Sequence, residues 1–408
     1  MQQGGQSRGR FRKGNGNRGG GPRSAKAGIP LVDAIPNGEA TVELRGVLQL
    51  LEAGHGQLRS PAADYAPEPT DPVVPRSIIR DLGLSDGVEL QGLGIESERP
   101  GRAPCLAEVR SINGAAPSEW PPKMAFKDLV AEDPTERIRL ESDSSEISTR
   151  VVDLIAPIGK GQRCLIVAPP KAGKTVLLQK IAHSISENHP EIHLIVLLID
   201  ERPEEVTDMR RTVRGDVIAS SSDEMARNHV QIAEIVLEHA RRLVESGRDV
   251  VVLLDSITRL SRAYNAEQRS SGRVLSGGID ARTMEKPRRF FGAARNVVDG
   301  GSLTVIGTAL VDTGSRMDDV IFQEFKGTGN TEIVMDRTLF ERRIFPCIDI
   351  SASGTRKEEK LFTEEEHAKV TLLRRAMAPL RAAEAMQLLT QRLEKYADNA
   401  TFLRDLTK

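Results

Sequence analysis

The sequence predicts an α/β protein: a mostly parallel sheet with a phosphate-binding loop, preceded by a small β-barrel and a disordered basic tail. Three observations carry that prediction. Runs rich in Val, Ile and Leu at 163–167, 192–199 and 250–254 are separated by helical segments with one apolar face, as in parallel strands covered on both sides. Ala168–Thr175 reads APPKAGKT and stands between the first such strand and the first such helix, where a phosphate loop belongs. Upstream, residues 41–112 alternate short β-like runs with turns rich in Gly, Pro and Asp, as a small barrel does.

The elements follow in chain order. Residues 1–40 form a Gly/Arg/Asn-rich tail. Its first 32 residues carry seven basic side chains, Arg8 to Lys26, and no acidic one, so it cannot bury enough apolar surface to order itself. The barrel's strand-like runs are 41–51, 87–93 and 106–112, and the Pro- and charge-rich stretch 113–146 reads as a connector. From Ile147 to Lys408 the pattern is that of the parallel-sheet domain with its helices. Lys174–Glu187 spaces Leu177, Ile181 and Ile185 four apart, Gln231–Glu245 has a similar stripe, and 303–310 adds a fourth strand. Thr363 and Glu366 form a capping box that opens C-terminal helices.

Composition narrows the class. A chain of 408 residues suggests roughly two to three domains, and 39% hydrophobic with 28% charged residues excludes collagen-like, wholly disordered and disulfide-stapled proteins. The 57 Lys and Arg nearly balance the 58 Asp and Glu, so overall charge points to no partner. Three scattered cysteines, Cys105, Cys164 and Cys347, form no CxxC and fit a reducing cytoplasm. No run approaches 18 apolar residues and the N-terminus lacks a signal-peptide core, so a soluble cytoplasmic protein with no membrane partner is expected. Only 3% of residues are aromatic, so base stacking has few candidates.

The chemistry follows from the loop. A helix N-terminus offers unpaired N–H groups to phosphate, Gly173 lets the backbone curl close, Lys174 reaches the β- and γ-phosphates, and the Thr175 hydroxyl suits magnesium. Ala168 stands where the usual pattern has Gly. Asp255 ends the apolar strand VVVLLD at the edge where open α/β sheets bind ligands, and is the metal candidate. Glu201, ending IVLLIDE, is the candidate general base. Asp at a strand end also suits a turn, so these carboxylates gain meaning only beside the loop. Together they specify NTP hydrolysis and leave its use open.

The stretches LIVAPPKAGKTVLLQKIA, VLLIDERPEEVTDMRR, VVVLLDSITRLSRAYN, RRFFGAARN, DTGSRMDDVIFQEFKGTGN and FPCIDISASGTRKEE resemble the bacterial transcription termination factor Rho family over about 147–380. The resemblance implies a RecA-type domain behind an OB-fold, and a homohexameric, RNA-dependent ATPase and 5′ to 3′ RNA–DNA helicase using ATP and Mg2+. It implies that Lys171, Ala172, Gly173, Lys174, Thr175 and Val176 bind nucleotide, together with Gly159, Lys160, Gly161, Gln162, Arg163 and Cys164 just before them. Glu201 matches the catalytic glutamate, Arg202 a phosphate-touching arginine, and Phe345 the aromatic on adenine. Arg356 matches an arginine finger from the neighbouring subunit and Arg343 a second interface arginine. Arg273, Val274, Leu275, Ser276, Gly277 and Gly278, with Arg316 and Lys326, match the loops that grip RNA in the pore; Arg273 and Arg316 stand where the family often has Lys.

The resemblance weakens at 41–112. The family's GFGFLR appears as Gly54-His55-Gly56-Gln57-Leu58-Arg59, and a third aromatic position falls at Val73. Stacking is worth about 1–3 kcal/mol per base, so the expectation is a kept fold with altered RNA binding, in which His55 stacks and Arg59 holds phosphate. The family's N-terminal helical subdomain is missing, and the basic tail is a candidate RNA tether. Implied partners are nascent RNA, RNA polymerase and an elongation factor. Two other readings stay open: an RNA-binding nucleotide-dependent scaffold without motor activity, and a rotary ATP synthase subunit.

Overall fold

The computed structural model describes residues 41–96, 101–120, 124–267, 278–280 and 282–406. The expected tail, 1–40, lies outside them. β1 (Thr41–Leu50), β2 (Gly56–Arg59), β3 (Val73–Val74), β4 (Glu89–Ile95) and β5 (Cys105–Ile112) close a barrel in the order β1-β2-β3-β5-β4, with α1 (Arg76–Leu82) between β3 and β4. Leu44, Leu48, Leu58, Val74, Ile78, Leu90, Leu106 and Ile112 fill it. β2 and β3 escape a sequence reading because they are four and two residues long and flanked by Gly and Pro.

Residues 113–146 carry more structure than their Pro and charge content suggests. β6 (Ala131–Glu132) joins the main sheet, β7 (Arg137–Ile138) pairs with β8 (Ile158–Gly159), and Phe126, Ile138 and Leu140 are buried.

The main sheet has nine strands. β9 (Arg163–Ala168), β10 (His193–Glu201), β11 (Asp216–Ser221), β12 (Val250–Asp255), β13 (Arg295–Val297), β14 (Ser302–Leu310), β15 (Thr331–Val334) and β16 (Gly354–Thr355) join β6 in it. Its spine runs β11-β10-β12-β14-β9-β15-β16, parallel from β11 to β15, while β13 and β16 pair antiparallel. Side chains alternate between two cores, as a strand's period of two requires. Ile166 and Ala168 face α2 (Ile147–Ile155) and α3 (Lys174–Asn188), while Leu165 and Val167 belong to the core on the side of α5 (Ala226–Glu245) and α6 (Ile257–Glu267). α4 (Pro203–Thr212) links β10 to β11, while α7 (Glu285–Phe291) and α8 (Arg316–Phe325) flank β14 in sequence. α9 (Arg337–Glu341), α10 (Glu364–Met377), α11 (Ala382–Leu393) and α12 (Asn399–Asp405) complete the chain, and α10 opens with the expected Thr363–Glu366 capping box. Among the described residues no helix is long and apolar enough to cross a membrane.

Candidate functional site

The carboxyl end of the sheet gathers the loop and both carboxylates. Ala168 is the buried last residue of β9, paired with Leu310, so the turn is made by residues 169–173. Lys171 and Gly173 both take left-handed φ, 64° and 85°. Nothing lies within 4 Å of a Cβ added at Gly173, so glycine is required there for its backbone angle. Ala172 is buried, which directs the flanking residues outward, and Val176 is exposed.

Lys174 of α3 is ion-paired with Asp255 at the end of β12, and its Nζ lies 3.5 Å from Glu201 at the end of β10. Asp255 has no exposed surface and also accepts the Thr308 hydroxyl at 2.7 Å. The Thr175 hydroxyl donates to Glu205 at 3.0 Å. Glu201 is 3% exposed, and burial raises its pKa above the ordinary carboxylate value against the opposing charge of Lys174. Arg259 stands 3.5 Å from it. Sequence reading missed three of these groups. Glu205 follows Glu201 and Arg259 follows Asp255 by four residues, a helical-turn spacing; Thr308 lies in an apolar strand and gives no signal. Arg202 caps α4 and is exposed beside Glu201. Phe345 is 51% exposed and edge-on to Phe340 at 5.9 Å. The Asp336 N–H donates to the Cys347 carbonyl at 2.9 Å, which brings the Phe345 segment to the same end of the sheet. Arg343 is exposed there, its guanidinium 5.5 Å from the Phe340 ring.

The structure does not bring Gly159–Cys164 to this loop. They stand at the amino end of β9, a whole strand away. Lys160 is buried in ion pairs with Glu136 and Asp249 at 2.5 and 2.9 Å, Gln162 and Cys164 are buried, and Gly161 packs on the Arg295–Asn296 backbone so closely that a Cβ would lie 2.1 Å from the Asn296 nitrogen. Arg163 is half-buried, and its pKa is lowered by burial and then by the charge of Arg356. Arg356 therefore shares this amino end, exposed, with its N–H on the Asn330 carbonyl at 2.8 Å.

Of the pore candidates, Arg273, Val274, Leu275, Ser276 and Gly277 lie outside the described residues. Gly278 has φ 82°. Arg316 opens α8 and Lys326 caps it, both exposed, about 15 Å apart along a ten-residue helix. Buried Asp318 fixes that helix by accepting from Arg262 of α6 at 2.8 and 2.5 Å.

On the barrel, Gln49, Gln57, Val73 and Cys105 are register partners across four adjacent strands, a continuous row with exposed or half-exposed side chains. His55 is half-buried at the β1–β2 turn. Arg59 is a correction. It is 4% exposed, ion-paired with buried Asp71 and bonded to Gln49 at 2.7 Å, so it serves as a structural brace and is not free to hold phosphate.

Known proteins match both parts. The Rho termination factor RNA-binding domain matches residues 44–118, and the nucleotide-binding domain of the ATP synthase alpha/beta family matches 148–355. The chain is 53% identical to transcription termination factor Rho of Cereibacter sphaeroides over 88% of this chain and 85% of that one, and 51% identical to that of Chromobacterium violaceum over 89% and 88%. The chain belongs to the transcription termination factor Rho family. Its fold also resembles a solved ATPase of a type III secretion system, with a TM-score of 0.56 at 21% identity over 77% of this chain and 89% of that one. The resemblance read from 147–380 thus holds, and it extends into the barrel despite the altered GHGQLR stretch. As a family member the chain pairs an RNA-binding barrel with a P-loop ATPase domain.

The donors at the loop fit magnesium with nucleotide. Among the described residues no three His, Cys, Asp or Glu side chains form a metal cage, but Thr175, Asp255, Glu201 and Glu205 offer the hard oxygens that Mg2+ takes in ones and twos when phosphates and water complete its shell.

Proposed function

We propose that this chain is an RNA-dependent ATPase and 5′ to 3′ RNA–DNA helicase that works as a homohexamer in the cytoplasm, ending transcription by pulling on nascent RNA with RNA polymerase and an elongation factor as partners. One observation carries the reading. The phosphate loop and its carboxylates lie at one end of β9 and Arg356 at the other, so a site with both needs two copies of the chain.

On this reading the N–H groups at the start of α3 and Lys174 bind the β- and γ-phosphates of ATP, with Lys174 exchanging Asp255 for phosphate. Glu201 takes the proton of the attacking water, and burial raises its pKa in the direction that makes the carboxylate a stronger base. Mg2+, held by Thr175 and Asp255, would neutralise charge on the phosphates. Arg356 of the adjacent copy stabilises the transferring phosphoryl group, with Arg343 at the same interface, and Phe345 and Val176 offer an apolar rest for the base. The outward row at Gln57 and Val73 meets RNA first, while Arg316 and Lys326 meet it in the pore. The test is ATP hydrolysis with and without RNA homopolymers, with Lys174→Ala as the blank, followed by displacement of DNA from an RNA–DNA hybrid. Hydrolysis indifferent to every RNA would refute the reading.

A further inference from the structure

We propose that Asp64 and Arg210 are positioning residues through which RNA on the barrel changes the rate of ATP hydrolysis, an inference that rests on the RNA-dependent reading above. Asp64 belongs to the barrel and Arg210 to α4. The Asp64 carboxylate accepts from Arg210 Nη2 through both oxygens, at 2.5 and 2.7 Å, and from the Ala219 N–H of β11 at 2.9 Å.

Each side of this contact leads by a short path to a working surface. On the barrel side, Gln57 of the outward row lies in β2, which ends at Arg59 under the clamp of Asp71 and Gln49. Ser60 then caps the short turn Pro61–Ala63, and the Asp64 N–H closes that turn on the Pro61 carbonyl. Asp64 and Tyr65 both hold left-handed φ, 53° and 58°, which non-glycine residues keep only where their surroundings fix them. Tyr65, 3% exposed, supplies that fixation by packing into the core of the main sheet. The carboxylate heading is thereby tied to the position of β2.

On the ATPase side, α4 begins two residues after Glu201. Its Glu205 takes the Thr175 hydroxyl, and its Asp208 accepts from Gln179 of α3 at 2.6 Å. A ten-residue helix moves as one body, so displacement at Arg210 reaches the Glu205–Thr175 contact and the chain next to Glu201.

Other barrel contacts end elsewhere. His239 donates to the Gly87 carbonyl at 2.9 Å, Arg242 to Ser85 at 3.0 Å and Asn113 to Ser246 at 3.2 Å, so these reach α5 or the residue after it. None of the nucleotide-site candidates lies there. Those contacts seat the barrel, whereas the Asp64–Arg210 pair reaches the helix next to the catalytic glutamate. The pair is part-exposed, 24% and 46%, so it adds little to stability and can be broken without unfolding the chain.

The experiment uses the full chain as Asp64→Ala, Arg210→Gln, the double variant and Ser85→Ala as a docking control, with polycytidylate as probe. RNA-free hydrolysis, RNA-saturated hydrolysis and RNA affinity are measured for each. The first three variants should lose about fivefold or more of the RNA stimulation, with RNA-free rate and RNA affinity kept within about twofold. The double should be no worse than either single, since both act through one contact, and Ser85→Ala should be stimulated in full. Full stimulation of Asp64→Ala or Arg210→Gln, or an equal loss in Ser85→Ala, would overturn the coupling alone. Unaltered protein that does not respond to RNA overturns the RNA-dependent reading and the coupling with it.

Discussion

Replacing Arg356 by Ala tests the divided site most directly. Thr355 pairs with Thr331 of β15, and Thr331 pairs with Cys164, the second residue of β9. The loop begins after Ala168, four residues farther along, which at about 3.3 Å per residue is about 13 Å before Lys174 is even reached. The Arg356 guanidinium cannot close that gap within its own chain, so on the proposed reading its loss removes a group that would act on a neighbour's nucleotide. Arginine fingers are worth about 10³-fold or more in rate, and Arg356→Ala should lose about that much RNA-stimulated hydrolysis while still binding nucleotide. Mixing sharpens the test. In rings assembled from equal amounts of Arg356→Ala and Lys174→Ala chains, half the sites keep the lysine and half of those meet an intact arginine. About a quarter of the interfaces are then whole, so two inactive proteins should recover up to about a quarter of the activity. Undiminished hydrolysis by Arg356→Ala alone, or a mixture no more active than its parts, would refute the division of the site between copies.

Other expectations are narrower. Glu201→Gln should lower kcat by about 10²–10⁴-fold. Because burial raises the Glu201 pKa in the nucleotide-free protein, this base gives up its proton later as pH climbs, so the acid limb of the kcat/KM profile should lie above the 4.5 of an ordinary glutamate; a limb at or below that value would count against Glu201 as the base. Gln57→Phe with Val73→Tyr rebuilds stacking surface on the outward row and should tighten binding of single-stranded RNA by about 1–3 kcal/mol per stack in a titration, whereas unchanged affinity would place the row away from RNA. Arg59→Ala leaves buried Asp71 without its partner and should cost about 3–5 kcal/mol in chemical denaturation; unchanged stability with lost RNA binding would restore Arg59 as a ligand.

Much of the fold was legible because a parallel sheet writes itself as apolar runs. β9, β10, β12 and β14 were each read to within a few residues, and the capping box at Thr363 marked α10 correctly. β11 was not read, since DVIASS has too few apolar residues to mark an edge strand. The loop and its two carboxylates were legible for the same reason: strand ends in an α/β sheet converge, so Lys174, Glu201 and Asp255 meet although 81 residues separate the first from the last. Arg59 misled because a motif position fixes where a side chain starts and not what it meets; Asp71, 12 residues on, captures it.

Gly159–Cys164 stand away from the loop of their own chain for a related reason, and their place bears on function. Nearness in sequence to a phosphate loop became distance in space because a strand intervenes, and a strand keeps its ends apart by its own length. The same rigidity carries Arg163 and Arg356 to the amino edge while the loop stays at the carboxyl edge. In the proposed ring, one sheet would therefore hold a nucleotide at the carboxyl end of β9 and present Arg356, just after β16, to the next copy at its amino edge. A shift of β9 relative to its neighbour would change both sites together. Any signal from a nucleotide at the loop to Arg356 at the next interface would therefore pass from β9 through β15 to β16.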